Sequence, residues 1–190
     1  MFQVRFHGRG GQGVVTAAEM LSVAAFLEGR YAQAFPSFGS ERMGAPVVSF
    51  CRIDDKEIRL REPVLEPDAV IVQDSTLFKV VDVRQGLKPS GYLLVNSNRS
   101  LSELHLDKIV SRLPAGHALA VPASELALQY VGRPLPNAVL LGAFAHLTGI
   151  VGLKSINAAI AEAFAEKVAA ANIAAATAAY NAVAGAAAAA

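Results

Sequence analysis

The sequence predicts an α/β fold of three layers, α/β/α, with a mostly parallel open sheet and an antiparallel hairpin insertion. The first observation is a strand that runs into a glycine-rich loop and then a helix at the start of the chain. The second is a series of uninterrupted apolar runs, typical of strands buried on both faces, at 69–72, 92–96 and 118–121. The third is that helical or polar segments separate these strands, as an α/β fold requires.

The opening unit consists of a predicted strand over residues 2–7 and a predicted helix over residues 14–27. Apolar and polar residues alternate in the strand. Helix formers and small residues continue through the helix to Gly29, where a C-terminal cap is expected. The tight loop that joins the two elements reads Gly8-Arg9-Gly10-Gly11-Gln12-Gly13.

The hairpin insertion is predicted in the next part of the chain. Residues 31–38 form a short aromatic-rich run, and residues 46–53 have the β-branched content of a strand. Asp54 and Asp55 mark a turn, so we expect residues 57–61 to return antiparallel to the strand before them. Such a hairpin suits the margin of an otherwise parallel sheet.

The second half of the chain is predicted to be largely helical. Segments 76–83 and 123–130 are expected to be helices, and Asn137 is expected to cap another that ends at Gly149. Two further helices complete the chain. The first of them is expected to carry one apolar stripe at spacings of three or four, formed by Leu153, Ile156, Ile160, Phe164 and Val168.

Composition and charge exclude several classes of function. The 190 residues can bury a large core, which predicts one domain over 1–184 and an Ala-rich tail at 185–190. The formal net charge is +1, so neither nucleic acid nor a membrane is an expected partner. A single cysteine, Cys51, and no signal-peptide pattern predict a cytoplasmic location. One thiolate cannot hold a four-iron cluster, which requires about four.

The glycine loop matches the dinucleotide pattern G-x-G-x-x-G through Gly8, Gly10 and Gly13. Three interpretations stay open. A nicotinamide or flavin site normally needs an acidic residue at the end of the second strand, and residues 31–35 contain none. The glycines can instead serve only a tight turn. They can also serve a phosphate contact of another kind at the helix N-terminus, to which Arg9 adds charge and Gln12 adds hydrogen bonding.

A second candidate site is the loop at 36–46, which contains two glycines, two prolines and the adjacent pair Glu41 and Arg42. Its composition allows a close approach of the backbone to a ligand. The charged pair is interpreted either as a solvated surface pair, or as an anchor against a ligand or a neighbouring chain. The four histidines are dispersed and match neither a catalytic triad nor a zinc motif.

Three phrases of the sequence are more specific than any glycine pattern. They are FHGRGGQGVVTAAEML, AFPSFGSERMGAPVVSFCRID and NAVLLGAFAHLTGI. In this order and at these separations they closely resemble the gamma subunit of pyruvate and related 2-oxoacid:ferredoxin oxidoreductases. The segments EPDAVIVQD and VPASELA fit the same family, and the resemblance covers about residues 1–180.

The resemblance implies that this chain is a non-redox part of a larger enzyme. In that family, alpha, beta and ferredoxin-like delta subunits hold thiamine diphosphate with Mg²⁺ and the 4Fe-4S clusters. The assembly converts a 2-oxoacid and coenzyme A to acyl-CoA and carbon dioxide, and it reduces ferredoxin or another electron acceptor. Pyruvate is the expected substrate, and branched-chain 2-oxoacids, 2-oxoglutarate and arylglyoxylates stay open. This chain is not expected to be catalytic alone.

The resemblance also implies that the two loops lie near the region where coenzyme A enters. Related sequences often have a proline where Ser40 stands and another basic residue in this loop, which here contains Met43, so less positive charge is available. Two alternatives stay open: a free-standing dinucleotide-binding dehydrogenase and a purely structural subunit. The residues expected to bind or border coenzyme A are Arg9, Gly10, Gly11, Gln12, Gly13, Glu41 and Arg42.

Overall fold

A six-stranded sheet forms the centre of the molecule. The structure is a computed structural model that describes residues 1–37 and 43–188, with side chains described as far as residue 185. Its strands are β1 (Phe2–Arg9), β2 (Tyr31–Pro36), β3 (Pro46–Asp54), β4 (Ala69–Val72), β5 (Tyr92–Asn96) and β6 (Ala118–Val121). They lie in the order β2-β3-β1-β4-β5-β6. β1, β4, β5 and β6 are parallel, and β3 is antiparallel to both β1 and β2.

Helices cover the two faces of the sheet unequally. They are α1 (Val14–Leu27), α2 (Asp107–Val110), α3 (Ala123–Val131), α4 (Asn137–Thr148), α5 (Leu153–Ala163) and α6 (Glu166–Ala188). The main core lies between one face of the sheet and all of these helices except α2. A smaller core on the other face is covered by α2, a 3-10 helix at Ser75–Lys79 and long connecting segments. The predicted α/β class, with its mostly parallel sheet and antiparallel hairpin, is confirmed.

No helix in the described part of the chain is long and apolar enough to cross a membrane. The longest, α6, is rich in alanine and packs several of its alanines in the main core.

The hairpin consists of β2 and β3, so the prediction of a strand at residues 57–61 is wrong. That segment has no strand structure and is mostly exposed. A side chain binds its C-terminal end instead: the guanidinium of Arg52 donates to the backbone carbonyl of Leu60 at 3.3 Å and to that of Glu62, just after the segment, at 2.7 Å. Since Arg52 points away from the main core, the segment lies over the second face of the sheet rather than beside β3.

Two of the predicted helices are shorter than expected. In place of a helix over 76–83, the chain forms only the 3-10 helix Ser75–Lys79. The apolar stripe predicted for one helix is divided between two, because α5 ends at Ala163 and Phe164 is extended. Val168 therefore lies on α6, where it is 44% exposed. The break lets α6 turn back and pack against α4.

The other predicted helix boundaries agree with the structure, with one exception. Gly29 and Gly149 adopt positive φ values of 78° and 62°, as expected just after α1 and α4. Asn137, however, is the first residue of α4 rather than its cap, and Pro136 precedes it in the cap position. The Asn137 side chain points instead at Gly13, because a Cβ on that glycine would lie 2.5 Å from Asn137 Nδ2.

Candidate functional site

The glycine loop lies at the edge of the sheet where β1, β4, β5 and β6 have their carboxyl ends. Ligands in open α/β sheets usually bind at this edge. A cavity of about 240 Å³ opens there, between the loop, the first turn of α1 and the start of β3. It is lined by Arg9, Gly10, Gly11, Gly13, Val14, Val15, Thr16 and Val47.

Three of the four loop glycines have a steric or conformational reason to be glycine. Gly11 and Gly13 have φ values of 92° and 68°, which L side chains rarely adopt. A Cβ on Gly8 would lie 2.5 Å from a methyl group of Val14. Gly10 exchanges backbone hydrogen bonds with the second loop, because its N–H donates to Ala45 and its carbonyl accepts from Gly44. The tight turn that the sequence pattern allows is therefore present.

The start of α1 can bind an anion. The first N–H groups of an α-helix have no acceptor within the helix, and the helix dipole makes this end positive. Residues 14–16 supply these groups and line the cavity. No side chain in the described part of the chain caps the helix. Phosphate is a typical ligand of such a helix end.

A dinucleotide site of the usual kind does not fit the strand order. In that fold the strand after the first helix lies directly beside β1, and its acidic residue reaches the ribose. Here β3 lies between β1 and β2, so the end of β2 is one strand further from the loop. Residues 31–36 also contain no acid.

Arg9 braces the loop, although the sequence suggested a positive charge available to a ligand. Its Nε donates to Oδ2 of Asp74 at 3.0 Å, and one terminal nitrogen donates to the hydroxyl of Thr76 at 2.9 Å. The other terminal nitrogen donates to the carbonyl of Gly44 at 2.9 Å. The guanidinium therefore connects three chain segments, and most of its donors are occupied.

Gln12 joins the same network. Its side-chain oxygen accepts from the backbone N–H of Arg9 at 2.8 Å, and its amide nitrogen donates to Oδ2 of Asp74 at 3.1 Å. Partial burial acts to raise the pKa of Asp74. Hydrogen bonds from Thr76 and Gln12, with the charge of the nearby guanidinium, outweigh burial and hold the pKa of this carboxyl group below its usual range.

Two residues of this region, Gln73 and Asp74, were not predicted from the sequence. The available signal was that both directly follow the buried strand β4, in the segment EPDAVIVQD. Gln73 is 1% exposed, and neither polar atom of its amide has a partner within residues 1–37 and 43–188. Its oxygen lies 3.2 Å from the position that a Cβ on Gly8 would take. The underside of the loop therefore carries an unsatisfied amide group.

Glu41 and Arg42, from the second candidate loop, lie outside the described residues. The described ends of that loop do reach the glycine loop, because Gly10 and Met43 form an isolated β-bridge. Met43 is 86% exposed beside the cavity mouth. The structure thus brings the two predicted loops together at this point.

A second cavity, of about 270 Å³, lies on the opposite face of the sheet. Two of its basic residues are already paired with carboxylates: Arg84 with Asp82 at 2.9 Å and Lys88 with Asp68 at 2.7 Å. Its lining contains no N-terminal turn of a helix such as residues 14–16 of α1 supply to the first cavity, so the glycine loop is the stronger candidate site. Across residues 1–37 and 43–188, no group of three or more His, Cys, Asp or Glu side chains could hold a metal ion.

Comparison with known proteins identifies the family. The family model for pyruvate ferredoxin/flavodoxin oxidoreductase matches residues 3–182. The pyruvate/ketoisovalerate oxidoreductases common subunit gamma of Thermococcus kodakarensis is 48% identical over 181 residues, 95% of this chain and 96% of that one. Pyruvate synthase subunit PorC of Methanocaldococcus jannaschii is 46% identical over 182 residues, 95% of this chain and 96% of that one.

A solved structure agrees with these relatives. The crystal structure of pyruvate oxidoreductase subunit PORC from Thermotoga maritima superposes with a TM-score of 0.79 at 38% identity, and the match covers 95% of each chain. Fold, sequence and length therefore agree along almost the entire polypeptide. The chain belongs to the pyruvate ferredoxin/flavodoxin oxidoreductase family.

Proposed function

We propose that this chain is the gamma subunit of a 2-oxoacid:ferredoxin oxidoreductase whose substrate is pyruvate. The observation that carries the proposal is the match along 95% of the chain, at 48% and 46% identity, to relatives named as gamma or PorC subunits. The assembly would convert pyruvate and coenzyme A to acetyl-CoA and carbon dioxide and pass the electrons to ferredoxin.

Thiamine diphosphate, Mg²⁺ and the 4Fe-4S clusters belong to the alpha, beta and delta partners in this proposal. The chemistry of the chain supports that division. Its one cysteine, Cys51, is fully buried in the main core, and burial raises the pKa of its thiol. A thiol that resists ionisation is a poor iron ligand, because iron–sulfur clusters are held by thiolates.

The contribution of this chain is to border the coenzyme A region. Coenzyme A carries several phosphate groups, and the N-terminal turn of α1 offers backbone N–H groups to an anion. We assign Gly10, Gly11 and Gly13 to this contact, and we propose that Glu41 and Arg42 also border coenzyme A. Arg9 and Gln12 hold the loop in shape through their contacts with Asp74.

Co-expression with the candidate partner subunits tests the proposal. A tag on this chain is expected to recover a complex that reduces ferredoxin with pyruvate only when coenzyme A is present. The isolated chain is expected to bind neither thiamine diphosphate nor iron, and to show no turnover. Recovery of the chain without partners, together with NAD binding in a titration, would instead support the dehydrogenase alternative.

A further inference from the structure

We propose that Asp74 is a positioning residue for the coenzyme A region: its carboxylate holds the glycine loop and, through Arg9, the segment at Gly44 in the geometry that receives the ligand. The inference rests on the function proposed above. It adds a residue that makes no contact with the ligand itself.

The carboxylate of Asp74 is used on both oxygens. Oδ2 accepts from Arg9 Nε at 3.0 Å and from Gln12 Nε2 at 3.1 Å. Oδ1 accepts from the backbone N–H of Thr76 at 2.9 Å and from its hydroxyl at 2.6 Å. One side chain therefore receives two bonds from the glycine loop and two from its own turn.

The two halves of this network differ in rigidity. Asp74 follows β4, whose four residues are all buried, and it caps the 3-10 helix Ser75–Lys79. The glycine loop is flexible by composition, because each glycine gains backbone freedom when a contact is lost. The carboxylate is thus a fixed point to which the glycine loop is attached.

The attachment continues into the second loop. Arg9 donates to the carbonyl of Gly44, and Gly44 in turn donates its N–H to Gly10. If Asp74 no longer accepts from Arg9 and Gln12, both side chains lose their shared acceptor. The two loops are then no longer held to the same carboxylate. The core is not affected in the same way, because the side chain of Asp74 lies at the edge of the sheet, 18% exposed.

Two physical models predict opposite results when the charge of Asp74 is removed. If Asp74 only repels an incoming anion, Asp74→Asn should lower the KM for coenzyme A, because Arg9 is left uncompensated. If Asp74 positions the loop, the same change should raise that KM. One hydrogen bond to a charged group corresponds to about a tenfold change in binding.

Asp68→Asn is a matched control. Asp68 lies at the other end of β4, where it accepts from the backbone N–H of Gln3 at 2.8 Å and from Lys88 at 2.7 Å. Both substitutions therefore remove a carboxylate that binds one N–H group of the backbone and one cation. Only Asp74 is connected to the glycine loop.

The experiment compares the assembled oxidoreductase carrying wild-type chain, Asp74→Asn, Asp68→Asn or Thr76→Val. We expect Asp74→Asn to raise the KM for coenzyme A about tenfold, with kcat and the KM for pyruvate changed less than about twofold. Thr76→Val removes one donor to Asp74 and one acceptor for Arg9, so a smaller rise in the same direction is expected. Asp68→Asn is expected to lower Tm without changing the KM for coenzyme A.

An unchanged or lower KM for coenzyme A in both Asp74→Asn and Thr76→Val overturns the inference. So does an equal rise in Asp68→Asn, which would trace the effect to general loss of stability. If Asp74→Asn does not assemble, Thr76→Val decides alone. If the wild-type complex forms but its activity does not depend on coenzyme A, the proposed function is contradicted instead. The two failures are therefore distinguishable.

Discussion

Buried arginines on the second face of the sheet bind backbone carbonyls. Arg5 is 7% exposed and donates to the carbonyl oxygens of Val64 at 3.3 Å and Val83 at 3.1 Å. Its Nε donates to Nε2 of His7 at 3.0 Å. Because that ring nitrogen accepts a hydrogen bond, His7 must be neutral. Burial, with a smaller effect from the charge of Arg5, lowers the pKa of His7 to about 3.

This neutral histidine predicts a dependence of stability on pH. In the folded chain the pKa of His7 lies below its usual 6.5, so on acidification the unfolded chain binds a proton at His7 that the folded chain does not bind. The contribution of His7 to the free energy of unfolding is therefore fully present above about pH 6.5. It is lost as the pH drops, and the slope approaches about 1.4 kcal/mol per pH unit. Urea unfolding between pH 6.5 and 5 measures the slope before carboxylates begin to titrate.

The variant His7→Gln lacks the titrating group and keeps an acceptor for Arg5. Over the same pH interval, its free energy of unfolding should change less steeply with pH than that of the wild type. The difference in slope should correspond to about one bound proton. Equal slopes in the two proteins would show that His7 is protonated in the folded state, and the direction of the Arg5 hydrogen bond would then be wrong.

Helices α4 and α6 pack closely against each other at Gly142. At Gly142 of α4 there is no room for a side chain, because a Cβ would overlap the carbonyl group of Ala176 on α6. Alanine is intrinsically favoured over glycine in a helix by about 1 kcal/mol. Overpacking a well-packed site costs about 1–3 kcal/mol and involves rigid backbone here, so the steric term should win.

We therefore expect Gly142→Ala to lower the free energy of unfolding by about 1–2 kcal/mol, measured by urea denaturation. Gly185→Ala is the matched control, since Gly185 is also helical and a Cβ there meets nothing within 4 Å. That substitution should leave stability unchanged or raise it by less than about 1 kcal/mol. A stable Gly142→Ala protein would mean that α6 can slide away from α4 at little cost.

Local sequence patterns predicted elements well where the local signal and the tertiary partner agree. β4 and β5 are such cases, because an apolar run of four or five residues has few other uses in an α/β fold. The strand predicted at 57–61 is absent, and the carbonyls of Leu60 and the adjacent Glu62 bond to Arg52, a contact that no local pattern encodes. Element existence was thus easier to predict than partner choice.

The candidate site shows the same limit. The glycine loop was predicted because the glycines that its tight turn requires lie close together in one short segment of the sequence. Asp74 was not, because an acid after a strand more often caps a turn, as this one does with Thr76. Its second role requires β4 to lie beside β1, which brings together side chains 65 residues apart in sequence, Arg9 and Asp74.

At the scale of the whole molecule, the two faces of the sheet differ in how they are covered. Five helices pack on one face around a continuous core. On the other face the segment at 57–66 is mostly exposed, and Arg5 and Arg52 donate to three of its carbonyls. Regions with few buried apolar contacts open at lower free energy than the core. The second face should therefore open locally while the helical face stays intact.

Limited trypsin digestion tests this asymmetry, because Lys56, Arg59 and Arg61 are cleavage sites within or next to the segment. Arg52→Met keeps an apolar stem but removes the bonds to the segment, so cleavage there should accelerate several-fold while cleavage at Lys154 and Lys167 in the helical layer stays slow. Arg84→Met, which removes an exposed pair with Asp82 on the same face, is the control and should change neither rate. Equal acceleration at all sites would mean that the sheet opens as one cooperative unit, and that the buried arginines stabilise the whole fold rather than the segment they bind.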